Sequence, residues 1–377
     1  LKHDCHQTES PKNESWKTEL RQSFRTKLSP EIAKLAKQSE AIARQMLPSI
    51  HELDFSGLRE PFEAGKNNQG IYGMERIYED RVVLTPYFEC AAYCRYCFKK
   101  TRTLGGEAKR MTEADIDQAI RYISTDTRIN TVLITGGDPF LDFDMLEELL
   151  NRIEVIPHIR NIRIGTRNIL FTPESITDNR IERIARFQRF HLMNPKMSRC
   201  VSVGFSLNHP DELTPSVIEA LSIFHRHSVS IKGQVVLLKG VNAETRIIQE
   251  LSNLMIANQI SPYYVFHCMP VIGANHFRTS VQKGIDILRD LARFSGTTAF
   301  QYVYVTPVGK HRLNIDSKLN YVFRENQRLI RNHTVYKAAD FLQFSGQNSL
   351  PVDHEVDSQG YIISHYLDGD DMEDAWS

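Results

Sequence analysis

Apolar residues recur at helical intervals from Trp16 to Met46, at Leu20, Phe24, Leu28, Ile32, Leu35 and Ile42, with a helix-start signal at Ser29-Pro30. From residue 81 the pattern changes. Strand-like runs appear at 81–87 (RVVLTPY), 131–135 (TVLIT), 160–166 (RNIRIGT), 200–207 (CVSVGFSL), 229–238 (VSIKGQVVLL), 262–267 (PYYVFH) and 301–306 (QYVYVT). Helical stretches lie between them, near 112–124, 143–153, 176–189, 214–226, 244–258 and 281–295. A strand every 30 to 50 residues with a helix in each gap is the βα rhythm of a parallel sheet. The pattern predicts an α/β chain built as a partial (βα)6-type TIM barrel, with its chemistry at the C-terminal strand ends. A doubly wound open sheet is the competing architecture, but no G-x-G-x-x-G follows a strand. The expected organisation is a mainly helical N-terminal extension (1–80), the barrel (81–310) and a less regular C-terminal segment (311–377) that serves oligomerisation or covers the site. The closing acidic run DGDDMED reads as a solvated terminus.

Charge changes this picture little. The 377 residues carry 46 basic and 46 acidic side chains, so no basic excess points to nucleic acid. No apolar run approaches the ~20 residues of a membrane span, and no signal-peptide core opens the chain. Six cysteines in so long a chain argue against a disulfide scaffold and for a reducing, cytoplasmic setting. The chain begins at Leu1, so a preceding piece is allowed for.

Candidate chemistry comes from three of those cysteines. Cys90, Cys94 and Cys97, in ECAAYCRYCFKK, are spaced C-x3-C-x2-C directly after the first predicted barrel strand. Three thiolates on one loop can hold three irons of a [4Fe–4S] cluster and leave the fourth open. Zinc would ask for a fourth ligand, commonly a second C-x-x-C pair, and Cys5, Cys200 and Cys268 are scattered singly. Lys99, Lys100 and Arg102 follow, and basic neighbours favour thiolate. After the second strand, Gly136-Gly137-Asp138-Pro139 offers a turn whose backbone can approach a ligand closely.

The cysteine spacing and the GGDP turn, in this order, resemble the radical S-adenosylmethionine (SAM) superfamily. Further segments narrow the resemblance to the lysine 2,3-aminomutase family: YEDRVVLTPYFECAAYCRYC, VLITGGDPF, IPHIRNIRIGTR, LNHPDELTPSVIEAL, GQVVLLKGVN and GANHFRTSVQKG, running in family order from about residue 72 to 323. The resemblance implies that Cys90, Cys94 and Cys97 hold the cluster. It also implies that SAM meets Gly136, Gly137, Asp138, His209 and Gln234, and that a 5′-deoxyadenosyl radical is generated. An external electron donor such as flavodoxin or ferredoxin and a homo-oligomeric state belong to the same expectation.

That family adds pyridoxal 5′-phosphate (PLP). Arg81 and Tyr78 match its phosphate-binding positions, while another family arginine falls on Ile77, with Arg76 beside it as a substitute. The PLP lysine is Lys310 when TPVGK is anchored on Thr306-Pro307, and Lys318 when anchored on the following LNYV; the permissive turn at Gly309 favours Lys310. The family's substrate-carboxylate arginine is Lys99 here, and its two lysine-binding aspartates become Met269 and Val305. An ammonium without a carboxylate partner is costly to bury, so the expected substrate is a less cationic amino acid other than lysine. The implied reaction is 2,3-amino migration to a β-amino acid. Two alternatives stay open: a PLP-free radical SAM enzyme carrying out hydrogen abstraction with elimination, oxidation or rearrangement, and a non-enzymatic iron–sulfur or zinc module.

Overall fold

Within the barrel strands buried residues alternate with half-buried ones. Val132, Ile134, Ile162, Ile164, Val201, Val203, Val235 and Leu237 are almost wholly buried, and Leu133, Arg163, Gly165, Lys232 and Gln234 between them are not. One face therefore packs on helices and the other lines a lumen. The structure, a computed structural model, describes residues 15–62, 69–106, 109–294 and 300–371. Nine strands form one sheet in sequential order: β1 Met74–Tyr78, β2 Arg81–Leu84, β3 Thr131–Ile134, β4 Asn161–Thr166, β5 Cys200–Ser206, β6 Ser230–Leu237, β7 Ile260–His267, β8 Gln301–Thr306 and β9 Gly309–Leu313. Strands β2 to β8 run parallel, and β1 and β9 are antiparallel edges.

The chain enters through helices α1 Ser15–Ser23, α2 Pro30–Leu35 and α3 Glu40–Met46. The crossovers then carry α4 Lys100–Thr103, α5 Glu113–Thr125, α6 Phe143–Glu154, α7 Asn168–Phe171, α8 Asp178–Ala185, α9 Pro215–Arg226, α10 Thr245–Ala257 and α11 Val281–Leu291. Six crossovers join seven parallel strands, the partial (βα)6-type TIM barrel that the periodicity predicts. Side-chain caps start these helices where the sequence offers them, as at Ser29, Thr112, Thr177, Thr214 and Ser280. The two sheet edges have no ladder between them; the Tyr78 hydroxyl accepts the Lys310 backbone N–H at 2.9 Å across the gap.

Two expectations change. The stretch after residue 311 is more ordered than its pattern suggests: β10 Tyr321–Arg324, β11 Gln327–Lys337, β12 His354–Val356 and β13 Tyr361–Leu367 form an antiparallel sheet in the order β10-β11-β13-β12, with α12 Ala338–Ser345 between β11 and β12. Phe341 and Phe344 of α12 cluster with Val308 and Ile362, and α12 packs on β1. The acidic run is anchored as far as Asp371, with Asp368 buried and Asp370 and Asp371 exposed as expected; residues 372–374 lie outside the described residues. Asp368 accepts from Val281 N at 2.8 Å, Asp371 accepts from Ser280 N and Oγ, and Asp370 pairs with Lys239 at 2.8 Å. Carboxylates at the start of α11 meet its free N–H groups and the positive end of its dipole. Among the described residues no helix is long and apolar enough to cross a membrane.

Candidate active site

The cysteine loop follows β2 and is pinned from three sides. Lys27 Nζ donates to Cys90 O at 2.7 Å, and Arg95 N donates to Gln45 O at 2.8 Å. The fully buried Glu52 accepts from Arg95 Nε at 2.9 Å and from Lys100 Nζ at 2.6 Å. Burial pushes the Cys97 thiol up to about 11 and the Cys90 thiol well above the thiol range, with the neighbouring cysteines adding to both. Such thiols would be held as thiolates by a bound cation, as iron would supply. Among the described residues no three His, Cys, Asp or Glu converge on one metal ion. Three sulfur donors on one short loop are a set that an iron–sulfur cluster would bind, each through a different iron.

The GGDP turn lies against this loop. Gly137 N donates to Tyr87 O at 2.8 Å and Asp138 N to Glu89 O at 2.9 Å. A Cβ on Gly137 would stand 2.1 Å from Glu89 O, and Gly136 has φ +126 with Thr85 Cγ2 2.2 Å from its ideal Cβ. Backbone cannot yield as a side-chain tip can, so Gly137→Ala is expected to cost about 1–3 kcal/mol. It should also lower the iron retained after reconstitution; urea denaturation and iron assay check both. The side chain of Asp138 reaches the start of the loop after β4. Its carboxylate accepts from Thr166 Oγ1 (2.7 Å), Arg167 N (2.6 Å), Asn168 N (2.9 Å) and Phe140 N (3.1 Å), and its carbonyl accepts from Tyr87. Asp138 thus joins the β3 and β4 loops.

Of the two remaining SAM candidates, Gln234 lies in the lumen, its amide 2.5 Å from where a Cβ on Gly204 would stand. That glycine gives the amide room. His209 caps the turn before α9, its Nδ1 accepting from Asp211 N at 3.3 Å, which leaves Nε2 for any ligand.

Deeper in the lumen the side chains are cationic. Lys310, opposite Val305 on the β8–β9 hairpin, has its Nζ 4.0 Å from the Tyr264 ring centroid and 5.2 Å from that of Phe266. Burial, then the charges of Arg81, Arg163 and Arg312, hold its amine well below the usual lysine range. Arg81 stacks on Tyr78 at 4.0 Å, and its Nε is buried with no hydrogen-bond partner. No carboxylate among the described residues pairs with Arg81, Arg163, Arg312 or Lys310. An orphaned buried N–H and three guanidinium groups without a carboxylate partner, around an amine whose basicity is depressed, fit an anionic aldehyde such as PLP. Lys318 is exposed on the excursion after β9.

Arg76 does not take the place of the missing family arginine. It points to the outer face, where Asp126 (2.8 Å), Tyr122 and backbone carbonyls satisfy it. Arg163, three strands over on β4, acts on Lys310 instead. The sequence reading missed Arg163, although a lone arginine between Ile162 and Ile164 marks a lumen position. It also missed Tyr263. The β6–β7 register slips between Gly233↔Pro262 and Gln234↔Tyr264, leaving Tyr263 unpaired. That bulge brings the Tyr263 and Tyr264 rings to 4.0 Å, with Arg163 4.9 Å and Lys232 5.1 Å from Tyr263.

Lys99 sits at the mouth, 3.3 Å from Thr85 Oγ1 and 3.8 Å from Glu75, so its charge is partly compensated. Met269 is half-buried after β7. Val305 lines a cavity of about 510 Å³ shared with Pro270, Thr306, Pro307 and Tyr366.

The profile of the Radical SAM superfamily matches residues 84–250. A provisionally named L-lysine 2,3-aminomutase of Aquifex aeolicus is 35% identical over 278 residues, 73% of this chain and 72% of that protein. The L-lysine 2,3-aminomutase of Fusobacterium nucleatum is 31% identical over 71% of this chain, which spans 61% of its length. The glutamate 2,3-aminomutase of Clostridioides difficile is 33% identical over 62% of this chain and 53% of its own. A radical SAM methyltransferase structure from Sphaerobacter thermophilus is 20% identical with a TM-score of 0.42, covering 61% of this chain and 68% of that one. With that level of identity over most of both chains, and with the cysteine loop, the GGDP turn and the cationic lumen in one barrel, this chain belongs to the lysine 2,3-aminomutase family of the radical SAM superfamily.

Proposed function

We propose that the protein is a radical SAM enzyme that moves an amino group between C2 and C3 of an amino acid other than lysine, using a [4Fe–4S] cluster, SAM and PLP. The observation that carries this reading is Lys310, half-buried within reach of the charges of Arg81, Arg163 and the exposed Arg312, in a barrel whose first strand leads into the loop of Cys90, Cys94 and Cys97. When bound, the cluster and SAM supply a carbon-centred radical, and PLP supplies an imine π-system across which nitrogen can pass.

The chain's own groups do the rest. Lys310, its amine depressed, would meet the cofactor's aldehyde, and Arg81, Arg163 and Arg312 would hold its phosphate. Tyr264 and Phe266 give the ring an apolar wall. Lys99 orients the substrate carboxylate at the mouth. Met269 and Val305 present no carboxylate to a distal ammonium, which disfavours lysine. The walls of the barrel exclude water from the reacting carbon. A flavodoxin- or ferredoxin-type donor completes the electron path.

The test is anaerobic turnover of reconstituted protein with dithionite, SAM, PLP and a panel of amino acids. The expected result is 5′-deoxyadenosine together with a β-amino acid, from a substrate preferred over lysine. A product formed equally without PLP, or lysine as the best substrate, overturns it. A pH measurement checks Lys310 separately. Its amine is depressed, so removing a nearby cation raises it: Arg163→Gln should shift condensation with pyridoxal, which lacks the phosphate, to higher pH.

A further inference from the structure

We propose that Arg167 is a positioning residue that sets the reduction potential of the cluster held by Cys90, Cys94 and Cys97, with Glu212 as its counterweight. Arg167 follows β4 and is 6% exposed. Its Nη1 donates to Cys94 Sγ at 2.8 Å and to the Tyr96 hydroxyl, both on the cysteine loop. Its Nη2 donates to Glu212 Oε1 at 2.8 Å and Gln45 Oε1 at 2.9 Å, and its backbone N–H is held by Asp138. Glu212, fully buried, is fixed in turn by Gln45 Nε2 at 3.0 Å and Asn208 N at 2.9 Å. One guanidinium therefore ties the cysteine loop to α3 and to the loop after β5, while the same residue's N–H joins the GGDP turn.

The consequence is electrostatic. Of the charged side chains that hydrogen-bond to the three cysteine sulfurs among the described residues, Arg167 is the one the structure shows. A donor and a positive charge on a ligand sulfur favour the cluster state that holds one more electron. That electron comes from an external low-potential donor, and no bond forms or breaks. Glu212, on the far side of the guanidinium, offsets part of that field. Removing the cation and removing the carboxylate should thus move the potential in opposite directions, which a purely structural role would not do.

The proposal rests on these cysteines being cluster ligands. Wild-type protein that takes up fewer than four irons per chain on anaerobic reconstitution overturns both readings before any potential is measured. With the cluster in place, the measurement is a redox titration followed by electron paramagnetic resonance. Arg167→Gln should disfavour reduction about tenfold, which is about 59 mV for one electron. Glu212→Gln should favour reduction by about threefold, and Arg167→Lys, which keeps the charge and loses the fork, should fall between wild type and Arg167→Gln. Shifts of the same sign in Arg167→Gln and Glu212→Gln, or both within about twofold of wild type, overturn the proposal. If Arg167→Gln loses its iron, the sign in Glu212→Gln decides: upward sustains it, downward or unchanged overturns it.

Discussion

Lys310→Ala protein mixed with PLP should show no imine absorbance band, and borohydride should fix no cofactor mass to it. Amino migration should fall by about 10³-fold or more, because no other group replaces an amine that must bond covalently to the cofactor. Lys318→Ala should keep the band, the mass and the activity. The contrast follows from placement. Gly309, at φ +123, turns the chain so that Lys310 enters β9 facing the lumen, and its backbone N–H is held by Tyr78. Its side chain lies over Tyr264, amid three guanidinium charges. Lys318 is exposed and shares none of these partners. A mass adduct mapped to the peptide containing Lys318 would contradict the assignment.

Glu52→Ala should destabilise the fold by about 3–5 kcal/mol. Glu52, Arg95 and Lys100 are buried together, and one carboxylate serves two cations. Truncating it leaves a guanidinium and an ammonium with no countercharge in a site that water cannot reach. Lys100 would keep the carbonyls of Arg95 and Gly273, each at 2.6 Å. Glu52→Gln keeps those contacts and two acceptor lone pairs, so it should lose less. Urea denaturation of the two variants measures the difference; equal stability of Glu52→Ala and wild type would show that the network contributes nothing. Because Arg95 lies between Cys94 and Cys97, iron uptake should fall in parallel.

The barrel was legible because each parallel strand buries one face under a helix. Ile162 and Ile164, or Val201 and Val203, declare that face, and capping residues such as Thr112 and Ser280 mark where helices begin. The C-terminal sheet was harder to read for a local reason. Its β10–β11 turn uses Glu325 and Asn326, both at positive φ, where a glycine would have announced a hairpin. The anchoring of the acidic run was not legible because its partners, Lys239, Ser280 and Arg328, are far away in sequence.

The site was legible where its residues are contiguous, as in the cysteine loop, and obscure where the fold assembles it. Arg76 seemed an adequate neighbour for Ile77, but neighbouring strand residues do not share a direction, and Arg76 went to the outer face with Asp126. Arg163 and Lys310 are 147 positions apart (310 − 163) and meet only because the sheet curls. The Tyr263 bulge adds one residue to one strand, which no hydrophobic period can express.

Eight of the junctions around the barrel are hydrogen-bonded ladders; between β1 and β9 a phenol meets a single amide. The girth of the hoop can therefore change most cheaply there, and the strand that would swing carries Lys310. Cofactor seated on Lys310 and Arg81 would buckle the hoop shut from inside. Hydrogen–deuterium exchange at the Lys310 amide should then slow on PLP addition far more than at amides of β4 or β5, whose partners are already fixed.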